Sequence, residues 1–392
     1  MRITWDIFCN VIDNYGDIGI AWRLARQLAL EHGLAVRLWV DDLEAFHKLW
    51  PELVPDVETQ HCQGVEVRAW REPFPQVFPA QVVIEALGCT LPESYLTAMS
   101  TQSPPPVWVN LEYLSAEPWV KAHHGLPSPH PQLPLTKHFF FPGYEQGTGG
   151  ILVERGLVKR RDRFQHEESA SFWQTLGIGI PKPSRFAPSK MAGASSELRI
   201  SLFAYENPAL TDLLDAWAWG SQSITCLIPE GKVLPQVAAW LGEPALAARA
   251  IHQRGNLALH ILPFLNQDDY DRLLWACDIN FVRGEDSCVR AQWAARPLVW
   301  QAYPQAENAH WDKLEALLER YVEALEAEDA KALATLWRAW NGIDGNRDMT
   351  QMWTKLLAHK VALDKHARAW CDRLIAAGNL AANLVRFVEK LG

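Results

Sequence analysis

No apolar run in these 392 residues reaches the ~18–20 residues that crossing a bilayer requires. The seven cysteines (Cys9, Cys62, Cys89, Cys226, Cys277, Cys288 and Cys371) are odd in number and scattered, with no C-x-x-C pair. That excludes a disulfide framework and a structural zinc, and it reads as small buried hydrophobes in a reducing compartment. Positive charge is also short. Against 46 Asp and Glu stand 37 Lys and Arg, a formal net charge of −9, which argues against direct, non-specific nucleic-acid binding. There is no G-x-G-x-x-G, so no dinucleotide fingerprint, and Asp6 interrupts any apolar leader core behind Met1. A cytoplasmic protein without membrane segments or bound metal is the expectation.

What the chain does have is enough length for two domains, each with its own core. Hydrophobic residues at 48% and charged residues at 21% fit an ordinary globular protein. The 19 tryptophans are expected mainly in cores and interfaces. Apolar or alternating runs at 3–11, 36–40, 65–70, 82–87 and 106–111 read as strands with helical stretches between them. They imply a mainly parallel sheet with right-handed crossovers. Residues 118–150 are rich in Pro, His and Gly, and His123, His124 and His130 lack the acidic or cysteine company of a metal site. Residues 181–196 have a Pro/Ser/Ala linker composition. A second α/β pattern follows, with strands expected at 198–203, 224–228, 257–262, 278–282 and 297–300.

Two stretches carry the chemistry. The first strand leads into Asp13-Asn14-Tyr15-Gly16-Asp17-Ile18-Gly19 and then a helix. In open α/β sheets ligands bind at the carboxyl ends of strands, beside such turns. Asp17 there reads either as a helix N-cap, with Asp13 and Asn14 in an Asx turn, or as a reacting carboxylate beside Asp13. In the second stretch, Arg283-Gly284-Glu285-Asp286-Ser287 joins a strand to a helix. A helix N-terminus suits a diphosphate, Arg283 adds a charged donor and Ser287 a hydroxyl, and Glu285 can accept from a sugar hydroxyl. A cap with a surface Arg–Glu pair is the plainer alternative. Phe203, Tyr205, Phe264 and Gln267 stand near strand ends, where aromatic faces can hold a planar base and an amide can read its edge. The basic run Arg155, Lys159, Arg160, Arg161 and Arg163 is either a solvated face or a seat for an acidic partner. Asp269-Tyr270-Asp271 matches D-x-D formally, but it opens an amphipathic run and reads as the acidic first turn of a helix.

Three segments together carry a family resemblance: 13–19, Asn110-Leu111-Glu112-Tyr113-Leu114-Ser115-Ala116-Glu117, and 283–287. The chain resembles the protein-arginine rhamnosyltransferases that modify bacterial translation elongation factor P. The resemblance implies an α/β protein of two Rossmann-like domains facing each other across a cleft, the GT-B fold. It implies inverting transfer of L-rhamnose from dTDP-β-L-rhamnose, without metal or other cofactor, to an arginine of the factor, activating it for rescue of stalled ribosomes. Catalysis falls on Asp13, Asp17 and Glu285, and donor binding on Phe203, Tyr205, Phe264, Gln267, Arg283, Asp286 and Ser287. The expected division is an acceptor-binding domain 1–180, a linker 181–196 and a nucleotide-sugar-binding domain 197–368, with a C-terminal helix of about 369–392 packing back on the first domain. A nucleotide-sugar epimerase or hydrolase of the same fold, or a non-catalytic nucleotide-sugar binder, are the other readings.

Overall fold

The computed structural model describes residues 3–12, 15–177, 197–343, 345 and 348–391. The chain divides into two compact units, residues 1–155 with 372–392, and residues 156–371. The expected linker 181–196 lies outside the described residues.

In the first unit β1 (Thr4–Cys9), β2 (Ala35–Val40), β3 (Thr59–Cys62), β4 (Val65–Ala69), β5 (Val82–Ala86), β6 (Val107–Leu111), β7 (Pro127–Pro129) and β8 (Thr136–Phe140) make one sheet. Their order is β3-β4-β2-β1-β5-β6-β8-β7, parallel except for the outer pairs β3/β4 and β7/β8. The central strands are covered on both faces, which is why β1 and β5 read as continuous apolar runs. Phe8, Trp39, Phe74 and Tyr95 pack together on one face. Asp6, fully buried in β1, is held by the Arg37 guanidinium, the Tyr95 hydroxyl and the Ala80 N–H, so its charge is matched.

The second unit has β9 (Leu198–Leu202), β10 (Ile224–Pro229), β11 (Ile251–Arg254), β12 (Leu257–Leu262), β13 (Ile279–Arg283) and β14 (Leu298–Gln301), in the order β11-β12-β10-β9-β13-β14. Among the described strands of this sheet β11 alone runs antiparallel to its neighbour. Trp217, Phe281, Trp340 and Trp353 form an edge-on aromatic core. Among the described residues eight tryptophans are almost wholly buried, as packing rather than ligand contact demands.

In both sheets the chain leaves a central strand toward one side and later returns to build the other. The reversal lies between β1 and β5 in the first unit and between β9 and β13 in the second. Carboxyl ends at such a reversal open a crevice.

Two boundaries differ from expectation. Residues 156–177, expected in the first domain, belong to the second unit. Helix ends leave carbonyls without intrahelical partners. Gln165 donates to Trp275 O at 3.1 Å and Ala294 O at 3.2 Å, Arg161 donates to Trp293 O at 2.9 Å, and Phe164 packs on Trp275. Arg161 is therefore buried, not part of a solvated basic face. The expected single C-terminal helix is two, Lys360–Ala377 and Leu380–Leu391, broken at Gly378 with φ 100°. The second of them lies in the first unit: Ile151 N donates to Gly378 O, Leu380 N donates to Ile151 O, and Asn383 donates to Gly149 O, all at 3.0 Å. Gly150 is needed for this approach, since a Cβ there would stand 2.4 Å from Gly378 O.

Candidate active site

At the carboxyl end of β1 the chain turns into the helix Gly16–His32. Asp17 is not its N-cap; Tyr15 holds that position without a side-chain bond, and Asp17 sits inside the first turn. Its carboxylate accepts from Ile12 N at 2.9 Å through Oδ2 and from the Tyr113 hydroxyl at 3.0 Å through Oδ1. It is 1% exposed. Asp13, the other expected catalytic carboxylate, lies outside the described residues. The turn is tethered from β2 as well, because Asp41 accepts from Val11 N at 2.9 Å and Asn10 Nδ2 at 3.0 Å. Asp42 caps the helix Leu43–Leu49 through Ala45 N. At the end of β1, burial first and then the charge of Asp17 push the Cys9 thiol well up, so it stays neutral.

At the end of β13 a compact cluster forms. The Arg283 guanidinium lies 4.5 Å from the Phe203 ring centre and 4.4 Å from that of Tyr205, a cation between two aromatic faces. Arg283 is 6% exposed, and its Nε is buried without a hydrogen-bond partner. Gly284, with φ 63°, makes the turn; its N–H donates to Gln301 O and its carbonyl accepts from Trp300 Nε1 at 2.7 Å. The Ser287 hydroxyl donates to Arg283 O and accepts from Arg283 N at 3.2 Å, so it braces the turn. Glu285 occupies the N-cap position of the helix Asp286–Trp293, makes no cap bond, and pairs with Lys313. Asp286 is the first residue of that helix.

The remaining expected residues fall nearby or on the same elements. Gln267 is buried and begins the helix Gln267–Ala276, whose Tyr270 packs on Phe203 at 5.5 Å. Phe264 is half-buried in the segment between β12 and that helix. Tyr205 also meets Tyr303 at 5.5 Å and Lys232 at 5.9 Å. Phe203 and Tyr205 each give a face to Arg283, where the sequence suggested faces for a base. Sequence reasoning missed Tyr113 and Lys313. Tyr113 stood in a segment noted only for resemblance, and a single lysine on a helix carries no signal.

The D-x-D pair is spent inside the fold. Asp271 takes a bidentate ion pair from buried Arg290, at 2.9 and 2.5 Å, and Asp269 pairs with Arg272 at 3.0 Å. Among the described residues no group of three or more His, Cys, Asp or Glu is arranged to hold a metal ion, and no helix is long and apolar enough to cross a membrane.

Comparison with known proteins bears on this geometry. Residues 5–389 match the family described as Elongation-Factor P (EF-P) rhamnosyltransferase EarP. A protein-arginine rhamnosyltransferase of Pseudomonas putida is 51% identical over 389 residues, 99% of each chain. A solved structure titled for EarP-mediated arginine glycosylation of translation elongation factor EF-P is 37% identical, covers 99% of each chain and superposes with a TM-score of 0.69. An alpha-glucosyltransferase only 8% identical covers all of both chains at a TM-score of 0.50, a likeness of fold alone. The two doubly wound units are thus those of a GT-B glycosyltransferase, and the chain belongs to the EF-P rhamnosyltransferase EarP family.

Proposed function

We propose that this glycosyltransferase moves L-rhamnose from dTDP-β-L-rhamnose to one arginine of EF-P with inversion. The first unit presents the acceptor to Asp13 and Asp17, and the second holds the donor. The reaction belongs in the cytoplasm, where seven cysteines outside any disulfide suit a reducing milieu.

An arginine nitrogen is a poor nucleophile because its lone pairs are delocalised. Full prior transfer of its proton, from a pKa above ~12 to an ordinary aspartate near ~3.9, costs roughly 11 kcal/mol at ~1.36 kcal/mol per unit. The base therefore works during bond formation. Asp13 and Asp17 grip the planar guanidinium and localise density on one nitrogen, and Asp17 takes the proton as the C–N bond forms. The Ile12 N–H and the Tyr113 hydroxyl fix the orientation of the Asp17 carboxyl group before the acceptor arrives.

The observation that carries the donor side is Arg283. A buried cation clamped by two rings, with an unpartnered Nε, at a turn opening a helix N-terminus, is matched to a diphosphate leaving group. Ser287 keeps that turn in shape. Phe203, Tyr205, Phe264 and Gln267 frame the nucleoside, while Glu285 and Asp286 accept from hydroxyl groups and stay clear of the diphosphate.

Intact-mass measurement of EF-P after incubation with the protein and dTDP-rhamnose tests the reading. One added deoxyhexose on an arginine is expected, and an unchanged mass refutes it. Asp17→Asn should lower single-turnover transfer by about 10²–10⁴-fold with dTDP binding intact; a near-normal rate discards the base.

A further inference from the structure

Tyr113 follows β6 by two residues, and its hydroxyl stands between two acceptors. Asp17 Oδ1 is 3.0 Å away and the Leu87 carbonyl oxygen 2.9 Å away. A phenol has one hydrogen, and neither a carboxylate nor a carbonyl has one to give. Leu87 is held in the left-handed region at φ 58°, unusual for a residue with a side chain, with its N–H bonded to Leu111 O at 2.8 Å. A strained turn thus places a second acceptor against a hydroxyl that already serves a buried carboxylate.

We infer that Tyr113 is a positioning residue for Asp17, whose hydrogen points to the carboxylate while it is charged and swings to the Leu87 carbonyl once the carboxyl is protonated. This rests on the reading of Asp17 as the base. The ionised carboxylate is the stronger acceptor and wins the hydrogen. On proton uptake it weakens, and the Leu87 carbonyl takes over, so the hydroxyl keeps a partner in both states and the buried site carries no orphaned donor. In the transfer the C–N bond forms and the sugar carbon–oxygen bond breaks, its electron pair leaving on dTDP. The arginine proton passes to Asp17, and Tyr113 keeps its own hydrogen throughout.

Among the described residues, two other titratable groups stand beside this turn. Cys9, on β1, is kept neutral, and Asp41, after β2, is engaged with Asn10 and Val11. Asp13, four residues before Asp17 in the sequence, lies outside the described residues.

The test uses the full chain with EF-P and dTDP-rhamnose. Tyr113→Phe removes a hydrogen bond to the charged form. It should raise the acid limb of the kcat/KM pH profile by about one unit and lower kcat at pH 7 about 10-fold, with KM for dTDP-rhamnose unchanged. Replacing Tyr113 by 3-fluorotyrosine keeps ring and hydroxyl but strengthens the donor, and should move the same limb down. Opposite displacements of one limb are not produced by packing. An unmoved limb in the fluorotyrosine enzyme, or a loss confined to KM, overturns the role. The fluorotyrosine arm decides alone if Tyr113→Phe fails to fold. Full transfer by Asp17→Asn overturns the base itself; an inactive Asp17→Asn enzyme with an unmoved limb overturns Tyr113 only.

Discussion

Replacing Arg283 by lysine keeps the charge and removes the geometry. In the folded protein the guanidinium is already ordered, 4.5 and 4.4 Å from two ring centres. A lysine ammonium has no flat face to stack, so its stem would have to be ordered when the donor binds, at about 1 kcal/mol. It also offers a point charge where arginine offers a fork, losing one charge-assisted hydrogen bond to the diphosphate, again about 1 kcal/mol net. The sum of about 2 kcal/mol corresponds to roughly 30-fold weaker binding. Calorimetric titration with dTDP, which carries the diphosphate without the sugar, reads this directly. Binding by Arg283→Lys within about 3-fold of the parent would refute the claim that the aromatic clamp pre-orders the cation.

Lys313→Met strips Glu285 of its ion pair. Because Glu285 is assigned to the sugar, kcat/KM for transfer should fall about 10-fold while dTDP affinity stays within about 2-fold; equal losses in both would move Glu285 to the diphosphate side. For pH, burial lowers the His124 pKa from 6.5, and its Nδ1 accepts from Phe141 N at 3.1 Å, so the ring is neutral in the fold. The unfolded chain then binds the extra proton first, so this contribution is complete above about pH 6.5, the unfolded value, and is lost as pH falls below it through the lowered folded value. Melting temperature should therefore drop between pH 7.5 and 5.5, and less in His124→Asn, which keeps an acceptor; an equal drop in both proteins excludes His124 as a cause.

The parallel strands were legible because burial on both faces leaves uninterrupted Val, Ile and Leu runs, as at Val82–Ala86 and Ile224–Pro229. The edge strands Thr59–Cys62, Pro127–Pro129 and Ile251–Arg254 went unread because an edge needs neither apolar content nor alternation. The turn at 283–287 was recognisable from residue types, but the clamp on Arg283 was not. It depends on β9 and β13 being neighbours, a fact of sheet order that local pattern does not contain. Asp17 misled in the same way. Its type and place suit a cap, but it lies inside the first turn, where Ile12 N and the hydroxyl of Tyr113, 96 residues later, donate to it. That 156–177 packs with the second unit was not legible, because a helix that seals other helices' carbonyls looks, in sequence, like any amphipathic helix.

The stitch between Gly149–Ile151 and Gly378–Asn383 has a consequence for synthesis. Residues 156–371 are one uninterrupted stretch, whereas the unit begun by β1 is finished only by residues 372–391. On the ribosome the middle of the chain can therefore settle while the earlier-made sheet still waits for its last helix. Nascent chains halted near residue 371 should resist protease over the later-made portion and be cut readily in the earlier one.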